Sequence, residues 1–180
     1  MNFNKNNKDK INLDQLVGKL HKADNRYAKL CKGLQIVYWI FIPFFTVSAI
    51  RHYIDSGDIN ELISGLFHVI GFIIIAVFFG NYHKEYKYVD YSLPTLKMLK
   101  DAAYRYQPVQ LKSLWVLLGL LFIYTAEISK SKLDNSFMEE QVFLLGGVLL
   151  GLIIGLIVWY FKYKPLRDNA LRLIAEIEGE

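Results

Sequence analysis

Residues 141–161 read QVFLLGGVLLGLIIGLIVWYF, a stretch of 21 residues that contains no charged side chain. A helix of about 20 apolar residues spans the hydrocarbon core of a bilayer, whereas shorter apolar runs usually do not. The stretch therefore predicts a transmembrane helix, and the remainder of the chain is interpreted outward from it.

Three further apolar runs, each bounded by charged residues, occupy residues 33–50, 62–83 and 113–129. Glu127 interrupts the last of them, but a carboxylate near the bilayer boundary costs far less than the roughly 2.5–3.5 kcal/mol assigned at the bilayer centre. With 53% hydrophobic residues in a chain of 180, little length remains for a separate globular domain. We expect an all-α integral membrane protein with four transmembrane helices in two hairpins; the alternative is a soluble protein with four buried helices.

The 21 Lys and Arg residues are distributed unevenly between the two ends of these spans. Eight precede the first span, six lie between the second and third, and four follow the fourth, which leaves Arg51, Lys130 and Lys132 for the two hairpin loops. The positive-inside rule then places both termini and the central connector in the cytoplasm. The net charge of +4 favours contact with anionic lipid headgroups and not with nucleic acid. We expect a multi-pass protein of the plasma (inner) membrane, and the Lys, Asn and Ile bias suggests a bacterial source.

The chain divides accordingly into a polar N-terminus, two flanking cytosolic helices and a membrane bundle. The boundaries are 1–10 for a disordered segment, 11–32 for an amphipathic helix, 33–162 for the four-helix bundle (33–50, 62–83, 113–129, 141–161) with a cytosolic helical connector at 84–112, and 163–180 for a C-terminal amphipathic helix.

The first flanking helix carries an apolar stripe and a basic stripe on neighbouring faces. Apolar residues recur at spacings of three and four from Leu13 to Leu30, which is one face of a helix. Such a helix either lies along the headgroups or packs against another helix while its basic residues contact phosphate or solvent. Because only Gly33 intervenes, we expect it to continue into the first span. The basic stripe consists of Lys19, Lys22, Arg26 and Lys29.

Six of the 12 tyrosines lie between residues 82 and 106, in and beside the connector. Because a tyrosine ring is amphipathic, such a group forms either an aromatic belt at the membrane boundary or a docking surface for a cytosolic partner. Ser92 is the predicted N-cap of the connector helix, which carries a second, short apolar stripe. This stripe consists of Leu96, Leu99, Ala103 and Tyr106. Besides the basic stripe, the residues predicted to contact a partner or headgroups are Tyr86, Tyr91, Tyr104 and Tyr106.

The C-terminal helix has a third apolar stripe, from Leu166 to Ile177, and ends in several acids. These acids, Glu176, Glu178 and Glu180, are the predicted partners of the basic N-terminal helix.

The fourth span contains glycines four residues apart, at Gly147, Gly151 and Gly155. Glycines at this spacing open a groove on one helix face, which lets a second backbone approach closely. The groove is filled either by another span of the same chain or by a second copy of the protein, which makes a homo-oligomer a candidate assembly.

One polar group lies in the outer half of the predicted bundle: Glu61, His68 and Glu127. Glu61 and His68 share a helix face, and ionisable groups within a membrane usually face the bundle and mark ion or proton pathways. The simpler alternative is a neutral His68 bonded to the hydroxyl of Tyr124 or Thr125, with both glutamates in water.

Motifs of catalytic chemistry are missing from the sequence. It has no glycine-rich phosphate loop, no paired-histidine metal motif, no nucleophile elbow and no cysteine cluster. We therefore expect no catalytic residue, no cofactor and no metal site, and we interpret His52, Asp55 and Asp58 as a solvated turn. The single Cys31 is interpreted as a small apolar filler.

Two functions follow from these features. The first is a non-enzymatic membrane regulator or adaptor whose cytosolic helices engage a partner or an anionic lipid surface. The second is a small oligomeric ion or proton channel, or a transporter, that uses the polar group in the outer half of the bundle. A lipid-modifying enzyme is a more distant third alternative.

Overall fold

The computed structural model describes the backbone of residues 12–130 and 135–179, and within them the side chains of residues 12–129 and 141–179. Every regular element in this part of the chain is helical. The helices are α1 (Leu13–Ser56), α2 (Ile59–Lys87), α3 (Thr95–Arg105), α4 (Leu114–Lys130), α5 (Asn135–Val158) and α6 (Lys164–Glu178), with a 3₁₀ turn at Leu111–Ser113 and a π-helical turn at Trp159–Tyr163.

Four of these helical stretches are long and apolar enough to cross a membrane. Each of them encloses one of the four predicted spans, which lie in α1, α2, α4 and α5 with the turns beside them. For the described residues, the prediction of an all-α protein with four helices able to cross a membrane is therefore confirmed. The predicted disordered segment at residues 1–10 lies outside the described residues.

α1 is a single helix of 44 residues, about 66 Å long at 1.5 Å per residue. It passes Gly33 without a break, so the flanking helix and the first span form one rod. The rod ends at Gly57, whose φ of 69° is left-handed and whose N–H donates to the carbonyl of Tyr53. Asp58 then caps α2 by accepting a hydrogen bond from the N–H of Asn60 at 2.9 Å. These two residues make the first hairpin tight.

α2 lies between α1 and α4, and small residues allow the close approach on both sides. A Cβ atom added at Gly65 would lie 2.2 Å from the Cβ of Ala49 in α1, and one added at Gly71 would lie 2.8 Å from the carbonyl oxygen of Gly119 in α4. Backbones at this separation gain dispersion contacts that lipid cannot supply. We refer to α1, α2 and α4 as the three-helix bundle.

α5 stands apart from the three-helix bundle. None of the residues 142–158 is buried, and apart from the backbone and chain neighbours of the same helix, no described atom lies within 4 Å of a Cβ built at Gly147, Gly151 or Gly155. The prediction that these glycines pack against another span of the same chain is therefore wrong for the described residues. The small-residue contacts between spans use glycines in α2 and α4, while packing of α5 against a second copy stays a prediction.

At one end of the molecule, helix segments outside the spans assemble into a second core, which we call the cap. It is formed by the N-terminal part of α1, the end of α2, α3 with its following residue, and α6. Its buried residues are Leu16, Leu20, Ala28, Cys31, Tyr82, Tyr86, Met98, Leu99, Ala102, Ala103, Tyr106, Ala170 and Ile174. Residues from all three predicted apolar stripes thus pack against one another in a single core.

The acids of α6 do not pair with the basic stripe of α1. Glu178 forms an ion pair of 2.6 Å with Lys100 in α3, and Glu176 lies 3.8 Å from Arg172 within its own helix. Glu180 lies outside the described residues. The predicted neutralisation of the N-terminal helix by Glu176 and Glu178 is therefore wrong, because α6 packs beside α3.

The predicted N-cap of α3 is also wrong. α3 begins at Thr95, and Ser92 instead donates its backbone N–H and its hydroxyl to the carboxylate of Asp90, at 2.8 and 2.6 Å. An Asx-type turn has taken the place of a helix cap.

We predict that Gly71→Leu destabilises the monomer in detergent by about 1–3 kcal/mol or more, because the added side chain meets backbone of α4 and cannot be accommodated by a rotamer change. Denaturant or thermal unfolding measures the loss. Gly151→Leu makes the same chemical change on the unpacked α5 and leaves the stability of the monomer unchanged. Equal destabilisation by the two variants would contradict the described packing.

Candidate functional site

The four basic residues predicted to contact a partner or headgroups, Lys19, Lys22, Arg26 and Lys29, are all exposed on α1. The last three, with His21 and Asn25, line a shallow groove. The groove is partly preorganised, because the side chains of His21 and Asn25 are hydrogen-bonded at 3.3 Å and the ring of His21 contacts that of Tyr91. We call Lys19, His21, Lys22, Asn25, Arg26 and Lys29 the basic face.

The positive charge of the basic face is not neutralised within the described part of the chain. None of its four Lys and Arg side chains forms an ion pair there. Two acids of the cap are engaged elsewhere, since Glu85 pairs with Lys112 at 2.5 Å and Glu178 pairs with Lys100. The basic face therefore presents uncompensated charge to its surroundings.

The four predicted tyrosine contacts fall into two groups. Tyr86 and Tyr106 are 4% and 3% exposed and belong to the core of the cap, so their predicted role as partner contacts is wrong. Their rings pack among helices, and both hydroxyls are hydrogen-bonded inside the molecule. Tyr91 is half-buried, and Tyr104 is 53% exposed and remains accessible.

A buried carboxylate, that of Asp24, holds the cap together from within. Asp24 is 1% exposed and accepts hydrogen bonds from the hydroxyls of Tyr91 and Tyr106. The guanidinium of Arg105 donates to the same carboxylate at 3.2 Å. Burial, together with the charge of Asp24, raises the pKa of Tyr106 well above its usual range, so the phenol stays a donor. This cluster joins α1 to both ends of the segment that contains α3.

The C-terminus of α3 is fixed by a second set of hydrogen bonds. The carbonyl oxygen of Arg105 accepts from the hydroxyl of Tyr86 at 2.8 Å and from the side-chain amide of Gln110 at 2.6 Å. The indole N–H of Trp159 donates to the carbonyl oxygen of Tyr106 at 2.9 Å. Carbonyls at a helix end have no partner within the helix, and here they receive donors from α2, from the connector and from the segment after α5.

Asp24 was not among the residues predicted from the sequence, although its spacing from Leu16 and Leu20 is that of one helix face. The buried positions of α1 are Leu16, Leu20, Asp24, Ala28 and Cys31. The predicted apolar stripe shares Leu16 and Leu20 with them but then continues through Ala23, Tyr27 and Leu30. Leu30 is 58% exposed. After Leu20, the buried face of α1 is therefore shifted by about one residue from the predicted stripe and includes Asp24. Burial of this carboxylate is possible because hydrogen-bond donors of the cap replace its water.

In the membrane part, the structure brings together two of the three predicted polar residues. His68 of α2 and Glu127 of α4 are 2.8 Å apart, from Nε2 to Oε1, and the ring of His68 is buried and stacked on Phe45. The other ring nitrogen, Nδ1, lies 3.1 Å from the carbonyl oxygen of Ser64. A carbonyl can only accept, so this contact uses an N–H at Nδ1 and leaves Nε2 to face the carboxyl group of Glu127.

Glu61 does not join this pair, since it forms no hydrogen bond or ion pair with His68 or Glu127. The alternative partners of His68, the hydroxyls of Tyr124 and Thr125, are also wrong, because Nε2 of His68 faces Glu127. The hydroxyl of Thr125 donates instead to the carbonyl of Leu121 at 2.9 Å. The described residues contain no group of three His, Cys, Asp or Glu side chains that could hold a metal ion.

The chain matches no protein-family profile, no curated protein and no solved structure. Its function is therefore inferred from its own residues and their contacts.

Cys31 provides a built-in reporter of the cap. Burial, and next the carboxylate of Glu85, raises the pKa of its thiol to about 12 from the ordinary 9.0. The folded thiol therefore stays protonated and covered at pH 8, while the unfolded thiol reacts with a maleimide. Because the folded pKa is the higher one, stability from this group is present below pH 9 and declines as the pH rises from about 9 toward 12.

We predict that Asp24→Asn lowers the free energy of cap unfolding by about 3–5 kcal/mol, because Arg105 loses the buried charge that it faces. Maleimide reaction of Cys31 across a denaturant series measures the change. Asp101→Asn removes the same charge from the exposed surface of α3 and shifts the curve by at most about 0.5 kcal/mol. Identical curves for the two variants would remove the structural role assigned to Asp24.

Proposed function

We propose that this chain is a non-enzymatic membrane adaptor or regulator of the bacterial inner membrane, with both termini and the cap in the cytoplasm. The spans hold the cap at the membrane, and the basic face engages a cytosolic partner or an anionic lipid surface. The uneven distribution of Lys and Arg between the two ends of the spans supports this orientation.

One observation carries the proposal. Residues from the three predicted apolar stripes pack against one another in the core of the cap, so they serve as a scaffold. The basic face is left exposed with no acidic partner among the described residues. A preassembled scaffold that displays uncompensated charge fits recruitment, since charge complementarity steers association and selects partners.

The fourth span adds a route to assembly. Its glycine face is open along Gly147, Gly151 and Gly155, and glycines at this spacing favour close contact between helices in membranes. We expect copies of the adaptor to associate through this span.

A photo-cross-linking amino acid placed at position 25, within the groove, tests the adaptor function in living cells. We expect it to capture a cytosolic protein or an anionic lipid, and we expect Lys22→Glu to reduce that yield by reversing a neighbouring charge. The same amino acid at position 97, exposed on α3, is the control. The proposed function would be refuted if positions 25 and 97 cross-linked the same molecules, or if Lys22→Glu left the cross-linking yield at position 25 unchanged.

The second candidate function is a small proton or ion channel, favoured by the His68–Glu127 contact of 2.8 Å. An ionisable pair inside a bundle often marks a proton pathway. In proteoliposomes that contain the protein, we expect His68→Ala and Glu127→Gln each to reduce flux to the level of protein-free liposomes. A wild type that does not conduct, or variants that conduct equally well, eliminates this candidate.

A further inference from the structure

With the first span crossing the bilayer, the basic face extends away from the membrane surface along the axis of α1 and does not lie flat on it. α1 is continuous from the first span into the cap, so the direction of the span fixes the direction of the basic face. Leu16 and Leu20 at its far end are fully buried in the core of the cap. Closer to the membrane, Nδ1 of His83 in α2 is 2.9 Å from the carbonyl oxygen of Ala28. α1 is therefore held along its length and cannot turn its basic side onto the headgroups.

The rise of the helix gives the height of each basic residue above the hydrocarbon. Lys32 is the last charged residue before the apolar run, so the hydrocarbon begins beyond it. Counting back at 1.5 Å per residue, Lys29 lies about 5 Å, Arg26 about 9 Å, Lys22 about 15 Å and Lys19 about 20 Å from Lys32 along the axis. A helix tilted by about 40° would still place Lys22 roughly 11 Å away.

The headgroup region extends only about 5–8 Å beyond the hydrocarbon on each side. Beyond it, salt screens the surface charge within about 8–10 Å at physiological ionic strength. Lys29 and Lys32 therefore lie within reach of lipid phosphates. Lys22 and Lys19 lie past the headgroups, with Arg26 at their edge, so these three residues face the aqueous phase.

The spacing of the basic residues indicates that a helical segment would fit against them. Lys19, Lys22, Arg26 and Lys29 follow one another at intervals of three, four and three residues, which aligns them along one side of α1. A second helix with Asp or Glu residues at the same intervals presents carboxylates at matching heights. His21 and Asn25 add polar groups beside this row, so the surface suits an acidic segment better than an apolar one.

We propose that Lys19, Lys22 and Arg26 form a docking site for an acidic helical segment of a cytosolic protein, while Lys29 and Lys32 contact lipid headgroups. This inference deepens the adaptor function and rests on it, because it names the chemistry of the partner. Contact with anionic lipid by the whole basic face is the competing outcome.

The test uses the full chain in nanodiscs of phosphatidylcholine, which carry no net lipid charge. The probe is a fluorescent synthetic helical peptide with Glu at intervals of three and four residues, and binding is followed by anisotropy. We expect the wild type to bind and the double variant Lys22→Glu, Arg26→Glu to bind at least about tenfold more weakly. Binding should also weaken as the ionic strength rises, because both sets of charges are exposed.

Two controls separate the specific site from general charge. The double variant Lys87→Glu, Lys97→Glu makes the same charge change at exposed positions outside the basic face and should keep wild-type affinity. Slow maleimide labelling of Cys31 in every variant shows that the cap is folded. A peptide that does not bind, or that both double variants weaken equally, would overturn the inference.

A measurement of bound lipid distinguishes failure of the docking inference from failure of the adaptor function. Phosphatidylglycerol that co-purifies with the protein should decrease in Lys29→Glu, Lys32→Glu and stay constant in Lys22→Glu, Arg26→Glu. If the latter variant loses the lipid while peptide binding is unchanged, the docking inference is wrong and the adaptor function stands through lipid. If neither peptide nor lipid responds to any variant of the basic face, both are wrong.

Discussion

A carboxylate inside a helical core is destabilising unless donors surround it, because burial removes the water that would otherwise solvate its charge. The cap is organised around this requirement at Asp24. Two phenols and a guanidinium converge on it from a connector and a helix end that are remote in sequence. Satisfying Asp24 therefore fixes the position of α3 relative to α1. Because α6 packs on α3, the same constraint places the C-terminal helix, and the basic face is exposed as the remaining side of α1.

The molecule consequently combines two kinds of packing. In the membrane, where water is absent on both sides of the contact, α1, α2 and α4 are held by close backbone approach at glycines such as Gly71 and Gly119. In the cap, ordinary burial of leucine, methionine and tyrosine side chains supplies the association. α2 and α1 belong to both parts, so the cap and the three-helix bundle share two continuous helices. The polar pair of His68 and Glu127 lies in the three-helix bundle, and the basic face lies in the cap.

The spans could be predicted from sequence because transfer of an apolar run into lipid depends on that run alone. The contact between His68 and Glu127 was partly predictable, since both residues were assigned to similar depths in neighbouring spans. The packing glycines were not, because whether Gly151 or Gly71 meets a neighbour depends on which helix lies opposite. The buried face of α1 was displaced toward Asp24 for the same reason: its donors come from residues more than 60 positions away, and no local pattern contains them.

The junction between α5 and α6 determines how the fourth span is attached to the cap. The π-helical turn at Trp159–Tyr163 is closed by a hydrogen bond from the N–H of Lys164 to the carbonyl of Trp159, five residues back, and Pro165 follows with no N–H to donate one turn earlier. The helical path is widened there but not interrupted, so α5 passes into α6 without a loop. The described side chains of α5 are largely unburied. In contrast, the indole of Trp159 is hydrogen-bonded to Tyr106, and α6 packs against α3. The fourth span is thereby joined to the cap at this turn, and its placement depends on that junction more than on contacts with α1, α2 or α4.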